Sequence, residues 1–134
     1  MIELVNVTKK FGKFEAVKDI SFSVKKGEIT GFLGPNAAGK TTTMRMITGF
    51  FPPTEGKVSV GGFDTALQPV NAKEKTGYMP ENVPLYKELS VMSYLEFIAG
   101  IKGVKKSERI AKINKAMEET GITGVRNKII GNLI

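Results

Sequence analysis

The 134-residue chain has neither cysteine nor histidine. Without cysteine there are no disulfides, thiolate metal ligands or cysteine nucleophiles, which suits a reducing compartment. Without histidine, no imidazole within these residues can act as base, proton shuttle or metal ligand. No apolar run approaches the roughly 20 residues needed to cross a bilayer, and the start MIELVNVTKKFG is not a signal peptide. Internal repeats, low-complexity tracts and flexible linkers are missing as well. A soluble, folded, cytoplasmic chain is expected.

Positive charge is plentiful but dispersed. The net charge is +7, yet the lysines fall in short pairs such as Lys9-Lys10, Lys25-Lys26 and Lys105-Lys106, with no long basic block and no interleaved aromatics. That pattern reads as solvated surface and gives no support for a nucleic-acid partner. Hydrophobic residues at 41% and charged residues at 25% are ordinary for a globular domain, and the length suffices for one core.

Residues 2–7 and 20–24 alternate apolar and polar side chains with period two, as half-buried antiparallel strands do. Phe11-Gly12-Lys13-Phe14 between them reads as a turn, and residues 28–33 (EITGFL) as a short buried strand. A helix is expected over 41–48, with Met44, Met46 and Ile47 at helical spacing and Gly49 as its stop. Residues 57–60 alternate again before the hairpin signal Gly61-Gly62, and residues 76–79 form a strand candidate closed by Pro80. Further on, Ser90 caps a helix whose face is Val91, Tyr94, Leu95 and Ile98. A second helix starting near Ser107 carries Ile110, Ile113 and Met117 on its inner stripe and ends at Gly121.

The chemistry concentrates in GFLGPNAAGKTTT, residues 31–43, where residues 34–41 fit G-x-x-x-x-G-K-[ST]. The chance of such a match in a chain this long is on the order of one in 200, and here it follows an apolar run and opens a helix. In that context successive N–H groups and the helix N-terminus converge on phosphate oxygens. Gly34 and Gly39 free the backbone path from a Cβ, the amides of residues 37–42, including Ala38, face the phosphates, and Lys40 meets the β- and γ-phosphates. Thr41 supplies a hydroxyl to magnesium and Thr42 supports the α-phosphate side. Ala37 stands where such loops commonly carry a third glycine. A positive φ there would strain the loop by about 1 kcal/mol or more and weaken nucleotide binding, whereas a negative φ would make the alanine neutral. A guanine-specific Asn-Lys-x-Asp is missing, since Asn71-Ala72-Lys73-Glu74 is not equivalent, which disfavours a GTPase.

With these motifs in order, the segments KKFGKFEAVKDISFSVKKGEITGFLGPNAAGKTTTMRMITGFFPPTEGKVSVGG and TGYMPENVPLYKELSVMSYLEFIAG resemble the nucleotide-binding subunit of ATP-binding cassette (ABC) transporters across essentially the whole chain. The resemblance implies an α/β fold around a P-loop NTPase core. An antiparallel β subdomain belongs with that core in residues 1–85, and residues 86–134 begin a helical subdomain. It implies ATP and magnesium as ligands, held by residues 36–42, Asn36 included. Phe11 would stack on the adenine and Val17 would lie near the ribose and base. Glu81 falls where most members carry a glutamine that touches magnesium and the attacking water, and glutamate there looks like an exporter subgroup.

By the same resemblance the family's signature segment should start at about Leu133, and the acidic catalytic pair and a sensing histidine should follow. Glu118-Glu119 cannot replace that pair, because they lie on an amphipathic helix. The chain is therefore expected to be the N-terminal half of an ABC ATPase, binding Mg-ATP without hydrolysing it alone. The complete protein would pair head to tail with a second ATPase subunit, sit beneath a membrane-spanning partner on the inner face of the cell membrane, and couple hydrolysis to transport. A non-catalytic short product that binds nucleotide or a partner is the alternative. Loss of later strands is expected to expose apolar surface and drive self-association.

Overall fold

The computed structural model describes all residues from Met1 to Ile134. They form two compact units, Met1–Met79 and Pro80–Ile134. No helix is long and apolar enough to cross a membrane.

In the first unit the period-two segments become β1 (Ile2–Phe11) and β2 (Phe14–Val24), antiparallel around the Gly12-Lys13 turn. Both run further than the alternation suggested, since pairing continues through Lys9↔Val17 and Lys10↔Glu15 to Phe11↔Phe14. The ladder is kinked where Asn6 and Asp19 adopt positive φ, 48° and 42°. Asn6 Nδ2 donates to Asp19 Oδ1 (3.1 Å), and the Asn6 and Asp19 amides donate to Ser21 Oγ (2.8 Å) and Thr8 Oγ1 (3.0 Å). A bulge breaks the alternation, so inward positions on β1 run Leu4, then Val7 and Thr8.

Strands β3 (Glu55–Val60) and β4 (Phe63–Asp64), joined through Gly61-Gly62, complete an antiparallel sheet of order β2-β1-β3-β4. Lys10 fastens β1 to β3 through an ion pair with Glu55 (2.9 Å), a hydrogen bond that holds its ammonium above the usual lysine range. Helix α1 (Lys40–Ile47) and the one-and-a-half-turn α2 (Pro69–Glu74) complete the unit. Leu4, Val7, Val58 and Val60 form its core with Met46 and Ile47 of α1 and Ala72 of α2. The inward positions of α1 are Thr43, Met46 and Ile47, a clean i, i+3, i+4 stripe. Met44, expected to share it, is 40% exposed, whereas Met46 is 0% exposed.

Two expected strands are not formed. Residues 28–33 and 76–79 lie in no ladder, and Ile29, Leu33, Tyr78 and Met79 are exposed. Apolar composition states what a segment's side chains prefer, but a strand exists only where a neighbour satisfies its N–H and C=O groups. Neither segment has one here.

The second unit is built on α3 (Val91–Ile101) and α4 (Lys106–Glu119). Ser90 caps α3, its Oγ accepting from Ser93 N (3.1 Å). The amides of Val91 and Met92 donate to the carbonyls of Lys128 (3.1 Å) and Arg126 (2.9 Å), so the C-terminal segment satisfies the helix's orphan donors. Val91 and Ala99 pack with Ile113, Met117 and Ile130. Ile110, expected on the same stripe as Ile113, is exposed: spacing marks a face but not how many of its turns are covered. Helix α4 ends in a Schellman pair, Ile122 N to Met117 O (2.9 Å) and Gly121 N to Glu118 O (3.1 Å), with Gly121 at φ 69°.

The α1 packing gives a direct test by urea denaturation. Met46→Ala should cost about 2–5 kcal/mol as a cavity-forming core truncation, and Met44→Ala should change stability by less than about 0.5 kcal/mol. Equal losses would place both methionines in the core.

Candidate functional site

The loop of residues 34–39 leads from the unpaired segment at 28–33 into α1. Its last residue, Gly39, is the helix N-cap, with φ 83° and ψ 7° in the left-handed region. A Cβ at this position would stand 2.5 Å from the Ala16 carbonyl oxygen and 3.0 Å from Val17 Cγ2. Backbone conformation and space therefore both demand glycine, because β2 lies directly against the loop. The expected need for a bare Cα does not extend to Gly34, where a Cβ would make only an ordinary 3.6 Å contact with the Ala38 Cβ.

Ala37 has φ 65°. Of the two possibilities that the sequence left open, the structure adopts the strained one, costing about 1–2 kcal/mol for an L-residue with a Cβ.

A glycine N-cap carries no side-chain acceptor, and none caps α1. The N–H groups of Lys40, Thr41 and Thr42 have no acceptor in the protein, nor do those of Asn36, Ala37 and Gly39. Within the loop only Ala38 N is engaged, donating to Pro35 O at 3.3 Å, and the helical ladder begins with Thr43 N to Gly39 O at 2.8 Å. Above these donors Lys40 folds back, its Nζ donating to the carbonyls of Gly34 (2.5 Å) and Pro35 (2.6 Å). No acidic residue stands in the first turn of α1. Open amides, a helix N-terminus and a nearby ammonium make a site for an anion with several oxygens, which is what a phosphate chain offers. The hydroxyls of Thr41 and Thr42 are unbonded, whereas Thr43 Oγ1 is committed to Gly39 O at 2.9 Å.

Other candidate residues take the following places. Asn36, Ala37 and Ala38 are exposed along the loop. Val17 is 6% exposed, in the core of the first unit and against Gly39. Phe11, at the end of β1, is 48% exposed and meets Phe51 at 87° with ring centroids 5.5 Å apart. Glu81 belongs to the second unit and is exposed, without an ion pair. No three His, Cys, Asp or Glu side chains are grouped to hold a metal. Sequence reading missed Ala16, whose contribution is a carbonyl oxygen. Every residue type has one, so no residue pattern could have revealed it.

Fold and loop together define a P-loop protein of the α/β class. A model of the ABC transporter family matches residues 17–133, and the chain belongs to that family. It is 39% identical over 125 residues to the ABC transporter ATP-binding protein YbhF of Escherichia coli (strain K12), spanning 93% of this chain and 22% of that protein. Identity to the linearmycin resistance ATP-binding protein LnrL of Bacillus subtilis (strain 168) is 39% over 123 residues, or 92% of this chain and 40% of that one. A solved ATP-binding subunit of an ABC transporter superposes with a TM-score of 0.80 at 26% identity, covering 96% of this chain and 53% of its own. The chain thus spans 22% and 40% of the length of these two curated relatives. The α/β fold with its antiparallel subdomain is that of the ABC ATPases.

Strain at Ala37 and crowding at Gly39 predict opposite responses to exchanging the two residue types. Ala37→Gly should stabilise the chain by about 0.5–1 kcal/mol, and Gly39→Ala should destabilise it by more than about 2 kcal/mol. Denaturant midpoints measure both, and a neutral Gly39→Ala would show that β2 does not press on the loop.

Proposed function

We propose that the chain is the ATP-binding part of an ABC transporter ATPase and holds Mg-ATP in the loop at the start of α1. The observation that carries this reading is the row of unpartnered amides at Gly39 to Thr42, with Lys40 beside them and no competing carboxylate in the first turn. The amides of Ala37 and of Gly39 to Thr42 receive the phosphate oxygens, whereas the Ala38 amide, expected among them, is engaged with the Pro35 carbonyl, so Ala38 and Asn36 shape the loop. Lys40 exchanges the Gly34 and Pro35 carbonyls for the β- and γ-phosphates. Phe11 stacks on the adenine; Val17, expected near the ribose and base, is instead buried in the core against Gly39 and supports the loop from that side. Magnesium neutralises phosphate charge when bound. The Thr41 hydroxyl, which makes no hydrogen bond within the protein, is the group that would hold magnesium, and no grouped carboxylates compete with it for the ion. By the family resemblance Glu81 touches magnesium and the attacking water.

The whole protein would couple ATP hydrolysis to transport, with a second ATPase subunit and a membrane-spanning partner at the inner face of the membrane. The name of YbhF, an ABC transporter ATP-binding protein, supports the role in transport; the second subunit and the membrane-spanning partner follow from the family resemblance. These 134 residues contain no histidine and no acidic cluster, so they bind nucleotide without sustained turnover. The exposed apolar side chains of Ile29, Leu33 and Met79 become covered by another polypeptide segment, supplied by a second copy when the chain is alone.

Two measurements test these statements. Calorimetric titration with Mg-ATP should show binding that Lys40→Ala weakens by at least about tenfold, roughly 1.4 kcal/mol or more, and GTP should displace ATP less well than ATP itself. Unchanged affinity in Lys40→Ala would refute the loop as the site. Light scattering should find the isolated chain associated, and a monomer with a cooperative melt well above room temperature would contradict the exposed-surface argument.

A further inference from the structure

Phe11 is half exposed, yet its ring is held by two neighbours. Residues two apart on a strand share a face, so β1 presents Lys9 and Phe11 side by side at the end of the hairpin. Lys9 Nζ donates to the Pro52 carbonyl (2.7 Å) and stands 5.2 Å from the Phe11 ring centroid and 4.7 Å from that of Phe51. Phe51 packs against the core of the first unit and crosses Phe11 nearly at right angles. One ammonium is thus fixed by a backbone acceptor and two aromatic rings, an unusual restraint for a surface lysine with its many rotamers.

We propose that Lys9 and Phe51 are positioning residues for the base-binding aromatic, holding the Phe11 ring so that its uncovered face is ready for the base of a bound nucleoside triphosphate. This rests on the ATP-binding reading above and names what prepares its base contact. A free phenylalanine at a strand end samples several rotamers and must lose that freedom when a base stacks on it. Here the loss is met on folding, so more of the stacking energy appears as affinity. Lys9 meets the ring through a cation–π contact and Phe51 through an edge-to-face contact, and together they restrict its swing.

The test compares two ligands on the full 134-residue chain: Mg-ATP, which has a base, and magnesium tripolyphosphate, which has only the phosphates. Lys9→Met, which keeps the stem but removes the charge and the donor, should lower ATP affinity about three- to tenfold while leaving tripolyphosphate affinity unchanged. Phe51→Leu should give the same ligand-selective loss, and Lys9→Arg should restore ATP affinity. ATP affinity equal to the parent's in both Lys9→Met and Phe51→Leu would overturn the proposal, as would an equal loss for both ligands, which would mean damage to the loop or fold. Failure of the parent chain to bind either ligand would overturn the ATP-binding reading itself, a result distinct from both.

Discussion

The close approach of β2 to Gly39 is the constraint on which the candidate site depends. The Ala16 carbonyl and the Val17 side chain fill the space where any Cβ would go, so the loop can lie against the sheet only through a glycine. That glycine is also the N-cap of α1, and a glycine cap offers no side-chain oxygen to the helix's first amides. One steric requirement therefore seats the loop on the β subdomain and leaves the donors at the start of α1 open. Had serine or aspartate capped this helix, its side chain would have competed for the same amides.

The remainder of the first unit keeps that junction in place. Met46 and Ile47 anchor α1 to Leu4, Val7 and Val58, and the bulge around Asn6 and Asp19 sets which residues of the hairpin turn inward. The same hairpin carries Val17 under the loop and Phe11 at its free end, so one element reaches both the phosphate and the aromatic parts of the proposed site. Strain at Ala37 is tolerated because the loop is fixed at its helical end by Gly39 and at its other end by the Lys40 ammonium on the Gly34 and Pro35 carbonyls.

Much of this was legible in the residues. Period-two alternation located β1 and β2, the glycine-lysine-threonine pattern located the loop and the helix behind it, and Ser90 and Gly121 marked helix ends where the cap and Schellman bonds are found. What could not be read was whatever depends on a neighbour. Residues 28–33 and 76–79 have the composition of strands but lack partners, and Met44 and Ile110 fit their stripes yet face solvent. The φ of Ala37, the intrusion of the Ala16 carbonyl at Gly39 and the Lys9–Phe51 support of Phe11 are three-dimensional facts with no one-dimensional pattern. Lys9 in particular looked like one of several dispersed surface lysines.

The central claim is that the unpartnered amides at the start of α1 receive phosphate. Amide NMR on the uniformly labelled chain tests it most directly, by following each N–H as Mg-ATP is added. The account predicts that the largest shifts fall on Gly39, Lys40, Thr41 and Thr42, with Thr43 and the helix beyond it much less affected. Saturable binding whose shifts left those four amides unmoved would contradict it.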